Sequence, residues 1–199
     1  MESQVRPLLE VLADVPDPRV RRGRRYKLSS ILALVCVATM CGDKSYGAMA
    51  HWIEDYGKHW LQLLGFERGV APSVGTLHSI LSRLDVAALE EVLGQWAQSV
   101  LEAATCEVTF GAACVVAMDG KTLRSSAKQG ASSAHLLSAV APVLGLTLHQ
   151  KAVPHKTNEI GAIPEVLQAL VLEGRVVTVD ALLTQRDVAR TIVEKGGSI

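Results

Sequence analysis

Val115-Val116-Ala117-Met118-Asp119-Gly120 and Val176-Val177-Thr178-Val179-Asp180-Ala181 repeat one pattern, a valine-rich run that passes straight into an aspartate. Short β-branched runs of this kind read as buried strands. The first is expected over Ala113–Met118, ending at Asp119, and the second over Arg175–Val179, ending at Asp180. Between them, His135–Val143 and Leu146–Val153 read as a hairpin joined across Leu144-Gly145. Asn158 can cap a helix from Glu159 to Leu172, with Ile160, Ile163, Val166, Leu167 and Leu170 on its apolar face and Gly174 behind it. A last helix is expected over Thr184–Lys195. The order β-β-β-α-β-α specifies an α/β domain with mixed strand directions.

Working back from this domain, the texture is helical. Leu28–Cys41 (LSSILALVCVATMC) is an apolar stretch followed by Gly42. It is too short for a bilayer span of about 20 residues and reads as a core helix. Ser45, Ser73 and Asp85 are each placed to cap a following helix. The apolar stripes are Met49-Trp52-Ile53-Tyr56, then Leu77-Ile80-Leu81-Leu84, then Leu89-Val92-Leu93-Trp96-Val100. Two domains are therefore expected, a helical one over 1–104 and an α/β one over 105–199.

The 199 residues carry 20 Lys+Arg against 20 Asp+Glu and are 49% hydrophobic, which excludes a disordered chain. Four cysteines show no CxxC pair, and the N-terminus lacks a signal-peptide design, so a cytoplasmic protein with reduced thiols is expected. The neutral total hides a local excess. Between Arg19 and Lys27 the chain reads RVRRGRRYK, with six cations (Arg19, Arg21, Arg22, Arg24, Arg25, Lys27) and no acid. Such a tract either neutralises DNA phosphates, releasing counterions, or is a solvated loop between helices. Pro16 and Pro18 in front of it favour a loop conformation.

If a helical crossover returns the chain, the two aspartate-ending strands lie parallel and adjacent, about 4.8 Å apart. Asp119 and Asp180 then leave the same carboxyl edge, where α/β ligand sites form. Two carboxylates so placed repel each other unless a divalent cation bridges them, and hard oxygen ligands favour Mg²⁺ or Mn²⁺. The alternative is that each aspartate caps the turn after its strand. Gly120-Lys121-Thr122 imitates the end of a P-loop, but Val115 stands where that motif needs glycine. No HExxH and no Gly-x-Ser-x-Gly elbow is present.

The ordered blocks DPRVRRGRRYKLSSILALVCVATMCGDKSYGAMAHW, PSVGTLHSILSRLD, MDGKTLRSS, HKTNEIGAIPEVL and VVTVDALLTQ span nearly the whole chain. This set resembles the H-repeat-associated (ISAs-type) insertion-sequence transposases. The resemblance implies a helical N-terminal domain followed by an RNase H-like core. There, a DDE triad holds two Mg²⁺ ions, nicks transposon ends and joins the freed 3′ hydroxyl to target DNA. Asp119 and Asp180 correspond to the first and second aspartates. Lys121 and Arg124 are then either phosphate contacts or exposed turn cations. The implied partner is the double-stranded DNA of transposon ends, near the nucleoid, with self-association a further expectation. Ser125 and Leu183 depart from the family's usual Gly and His. The third acid of the family follows a further strand and helix. Glu194 precedes that strand, so the chain is expected to be a catalytically incomplete copy with weakened metal binding and a bare apolar edge at Val176–Val179.

Overall fold

In the computed structural model, which describes residues 5–22, 24–107, 115–123, 134–153, 159–181 and 183–199, helices come first and a mixed sheet follows. The helices are α1 (Leu8–Val11), α2 (Leu28–Met40), α3 (Tyr46–Tyr56), α4 (His59–Leu63), α5 (Val74–Leu81) and α6 (Val86–Glu107). The three expected caps form. Ser45 Oγ accepts the Ala48 N–H at 3.2 Å, Ser73 Oγ that of Thr76 at 3.3 Å, and Asp85 Oδ1 that of Ala88 at 3.1 Å. The short α1 and α4 escape a periodicity reading, because four or five residues do not show a repeat.

The described chain divides into two compact units, Arg6–Leu93 and Gly94–Ile199. The expected boundary at 104 lies inside α6. In the first unit Leu12, Ile31, Leu34, Trp52 and Leu77 are fully buried, and Leu89, Val92 and Leu93 pack half-buried against them. Ser30 Oγ, buried on α2, donates to the Gly65 carbonyl at 2.9 Å. Beyond Leu93 the expected stripe through Trp96 and Val100 gives way to another face. Gly94, Ala97 and Leu101 are buried, whereas Trp96 and Val100 are half-buried. The switch lets α6 join a second core with Val116, Leu137, Leu148, Ile163 and Leu167.

That core lies against a sheet of order β3-β2-β1-β4, built from β1 (Val115–Leu123), β2 (Ala134–Ala141), β3 (Leu146–Val153) and β4 (Val176–Val179). β1–β2 and β2–β3 are antiparallel, and β1–β4 is parallel. The helices α7 (Glu159–Gln168) and α8 (Arg186–Glu194) flank β4 in sequence. The expected order and mixed directions are those observed.

Several element ends differ from expectation, three of them for a physical reason; α8 runs Arg186–Glu194, inside the expected Thr184–Lys195. β1 does not stop at Asp119: it continues to Leu123 because β2 pairs with it there, Asp119 opposite Ser138 and Lys121 opposite Leu136. Asp119-Gly120-Lys121-Thr122 is thus strand, not turn. β2 ends at Ala141 rather than Val143, since Pro142 has no N–H to give; Gly145, at φ 63°, completes the turn. α7 stops at Gln168, four residues before the expected Leu172. Its last carbonyls find donors elsewhere: Lys195 Nζ reaches Leu167 O at 2.7 Å and Gln168 O at 2.9 Å, and Gln98 Nε2 reaches Ala169 O at 3.1 Å. The proposed cap Asn158 lies outside the described residues.

The outer edge of β4 is not bare at its start. Ser198 forms a parallel bridge with Val176, accepting the Val177 N–H at 2.7 Å and donating to the Arg175 carbonyl at 2.8 Å. Gly196 (φ 76°) and Gly197 turn the chain from α8 onto that edge. A Cβ on Gly197 would sit 3.2 Å from the carbonyls of Ile192 and Leu172.

Candidate functional site

Met118 and Val179 form the last pair of the parallel β1–β4 ladder, and the next residue on each strand is an aspartate. Strand spacing puts the Cα atoms of Met118 and Val179 about 5 Å apart. Ala117 and Thr178, neighbours on one face of the sheet, precede Asp119 and Asp180 by two residues. The opposite face carries the buried Val116, Met118 and Val177. Both aspartates are exposed. Turn capping does not account for Asp119, which is mid-strand. At Asp180 the turn closes on the backbone carbonyl, which accepts the N–H groups of Leu183 and Thr184 at 3.0 Å each.

Lys121 is exposed and shares Asp119's face of β1, two residues on. Arg124 lies outside the described residues. Paired carboxylates are hard ligands of the kind that suits Mg²⁺ or Mn²⁺. Among the described residues, no group of three or more His, Cys, Asp or Glu is placed to hold a metal ion.

A second assembly lies within Arg6–Leu93. The tract's six cations do not behave alike. Arg19 donates Nε and Nη2 to the Asp17 carboxylate at 2.8 Å each, and Nη2 also reaches the Tyr26 carbonyl at 3.0 Å. Arg24 Nη1 lies 3.4 Å from the same carboxylate, and Lys27 pairs with Glu67 at 2.7 Å. The Arg19 hydrogen bonds hold the Asp17 carboxyl below the usual range against a smaller opposing effect of burial. Arg21, Arg22 and Arg25 are exposed.

A groove of about 480 Å³ runs between this tract and α5. Arg19, Arg22, Arg24 and Arg25 line one wall; Ser73, Thr76, Ser79 and Arg83 line the other. Thr76, Ser79 and Arg83 were not singled out in sequence, and Ser73 was read only as the start of a helix. Their signal was a polar stripe at 73, 76, 79 and 83 beside the apolar stripe Leu77-Ile80-Leu81-Leu84, legible only once the tract is known to face it.

Among the described residues no helix is long and apolar enough to cross a membrane. No solved structure matches the chain. The family described as DDE_Tnp_1-associated matches residues 9–97. The chain is 34% identical over 197 residues to "Putative transposase YncI" of Escherichia coli (strain K12), covering 96% of this chain and 75% of that protein. It is also 34% identical to the protein of the same name from Escherichia coli O157:H7, covering 96% of this chain and 47% of that one. Identity to "H repeat-associated putative transposase YhhI" of strain K12 is 32% over 202 residues, covering 98% and 50%. The chain thus spans about half the length of the latter two relatives. On these similarities, spread over nearly its whole length, the chain belongs to the H repeat-associated transposases.

Proposed function

We propose that this chain acts on double-stranded DNA as an insertion-sequence transposase whose chemistry is divalent-metal-dependent phosphodiester cleavage at transposon ends followed by strand transfer. The observation that carries the reading is the placement of Asp119 and Asp180, one residue past the last parallel pair of β1 and β4. The sheet order β3-β2-β1-β4, with two antiparallel pairs and one parallel pair, supports an RNase H-like core. Asp119 and Asp180 would hold Mg²⁺ or Mn²⁺. A bound cation supplies Lewis-acid stabilisation of the phosphoryl oxygens. The chain's own residues bind and orient: the exposed arginines of the tract take phosphates, and Lys121 adds a cation on Asp119's face.

Two carboxylates make a weak site. Residues 1–199 assayed alone are therefore expected to show negligible strand transfer. Incubation with duplex carrying transposon ends and Mg²⁺ tests this. Cleavage that is measurable and lost in Asp119→Ala would overturn the incomplete-site reading. A second reading is a non-catalytic DNA binder that occupies ends in competition with a full-length transposase. It is favoured by the groove at the basic tract, all of whose lining residues belong to Arg6–Leu93. Competition of this chain against a longer relative for the same duplex separates the two.

A further inference from the structure

We infer that α5 is the second half of a phosphate clamp, and that the groove between α5 and the basic tract takes the sugar-phosphate backbone of duplex DNA. The inference deepens the DNA-binding part of the proposed function and rests on it; it assigns a role to Thr76, Ser79 and Arg83. Five arginines line the groove, four from the tract and Arg83 from the turn just after α5, and no Asp or Glu is among its lining residues. Asp17 neutralises part of this charge through Arg19 and Arg24, and the like charges left at Arg22, Arg25 and Arg83 around one concavity attract a polyanion. The groove also has neutral donors. Thr76 and Ser79 bring hydroxyls to the α5 wall, and hydroxyls with guanidiniums are the usual partners of phosphate oxygens.

The charge on the α5 wall is held in place. Arg83 Nε donates to the Ser79 carbonyl at 2.8 Å and Nη2 reaches Ser79 Oγ at 3.1 Å, which fixes the guanidinium along the helix. The opposite wall is held by Arg19 and Asp17, leaving Arg22 and Arg25 exposed. Cations on both walls suit a backbone lying between them. Contacts to phosphate carry no sequence information, so the clamp is expected to be indifferent to sequence.

The test is salt-titrated binding of the full 199-residue chain to a fluorescent random-sequence DNA duplex. Each phosphate contact contributes about 0.9 to the slope of log affinity against log salt, so Arg83→Gln should lower the slope's magnitude by about 0.9 and Arg22→Gln by the same amount. Arg83→Lys should restore the slope, and melting temperatures matching the parent exclude misfolding as the cause. If Arg22→Gln weakens binding while Arg83→Gln leaves affinity and slope unchanged, the tract binds alone; the clamp falls and the proposed DNA binding stands. If the parent chain binds no duplex at low salt, both fall. A chain that exchanges duplex for single-stranded RNA or anionic vesicles at equal phosphate overturns the clamp as well. Absence of Mg²⁺-dependent chemistry bears on the carboxylates alone.

Discussion

Arg19 and Asp17 form a two-pronged ion pair, Nε to Oδ1 and Nη2 to Oδ2 at 2.8 Å each, from side chains only 11% and 18% exposed. Because Nη2 also reaches the Tyr26 carbonyl, one guanidinium ties together both ends of the basic tract. Its neighbours in sequence are therefore not equivalent to it. Arg19→Ala should cost about 2 kcal/mol of stability, in the range for hydrogen bonds to charged groups, whereas Arg22→Ala should leave the melting temperature within error and weaken DNA binding. Thermal melts and duplex binding of the two variants check the division.

The same pair makes stability depend on acid. Asp17 has its folded-state pKa lowered, chiefly by the Arg19 hydrogen bond. A depressed carboxylate contributes stability that is present above its unfolded pKa of about 3.9 and is lost as pH falls through the lower folded value. Melts taken from pH 6 down to pH 3 should show a loss below about pH 4 that is smaller in Asp17→Asn.

Gly94 faces the second core where α6 meets β3. A Cβ there would lie 2.8 Å from the Leu148 carbonyl oxygen, which is backbone and cannot swing away. Gly94→Ala should destabilise despite alanine's advantage of about 1 kcal/mol in a helix. Gly161→Ala on α7, with nothing within 4 Å of the new Cβ, should stabilise or leave the melt unchanged. Equal effects from the two would sink the close-approach argument.

Lys195 should matter more than a surface lysine. Lys195→Met removes the side-chain donor to the Leu167 and Gln168 carbonyls; Leu167 O keeps the Leu170 N–H at 3.3 Å and Gln168 is exposed to water, so the cost should be about 1 kcal/mol, that of a typical hydrogen bond. Amide exchange at the C-terminal end of α7 should speed up in the variant.

The carboxylate pair yields a direct metal prediction. Mg²⁺ at ten times its Kd should stabilise the parent by about 1.4 kcal/mol, and Asp119→Asn or Asp180→Asn should abolish the shift. A Mg²⁺-induced rise in melting temperature that survives both substitutions places the cation elsewhere.

Much of this organisation was legible in the chain. The caps at Ser45, Ser73 and Asp85 need only a partner N–H three residues on, and the valine runs around residues 116 and 177 report their own burial. The candidate carboxylates could be read for the same reason: identical strand endings predict neighbouring positions once the strands are parallel. What escaped was everything set by distant partners. β1 runs on through Asp119 because β2 pairs with it, and Gly120-Lys121 gives no hint of that in its own sequence.

By itself, then, the sequence determined a helical part followed by β-β-β-α-β-α, the caps, and the two aspartates as a matched pair. Those follow from side-chain periodicity and from contacts within a few residues. Tertiary structure alone decided where α7 ends, through Gln98 and Lys195, 71 and 28 residues from the carbonyls they serve. It also decided which arginines remain exposed and that α5 stands across a groove from them. Such outcomes depend on which groups burial brings together, and a local pattern carries no record of a hydrogen-bond partner so far along the chain.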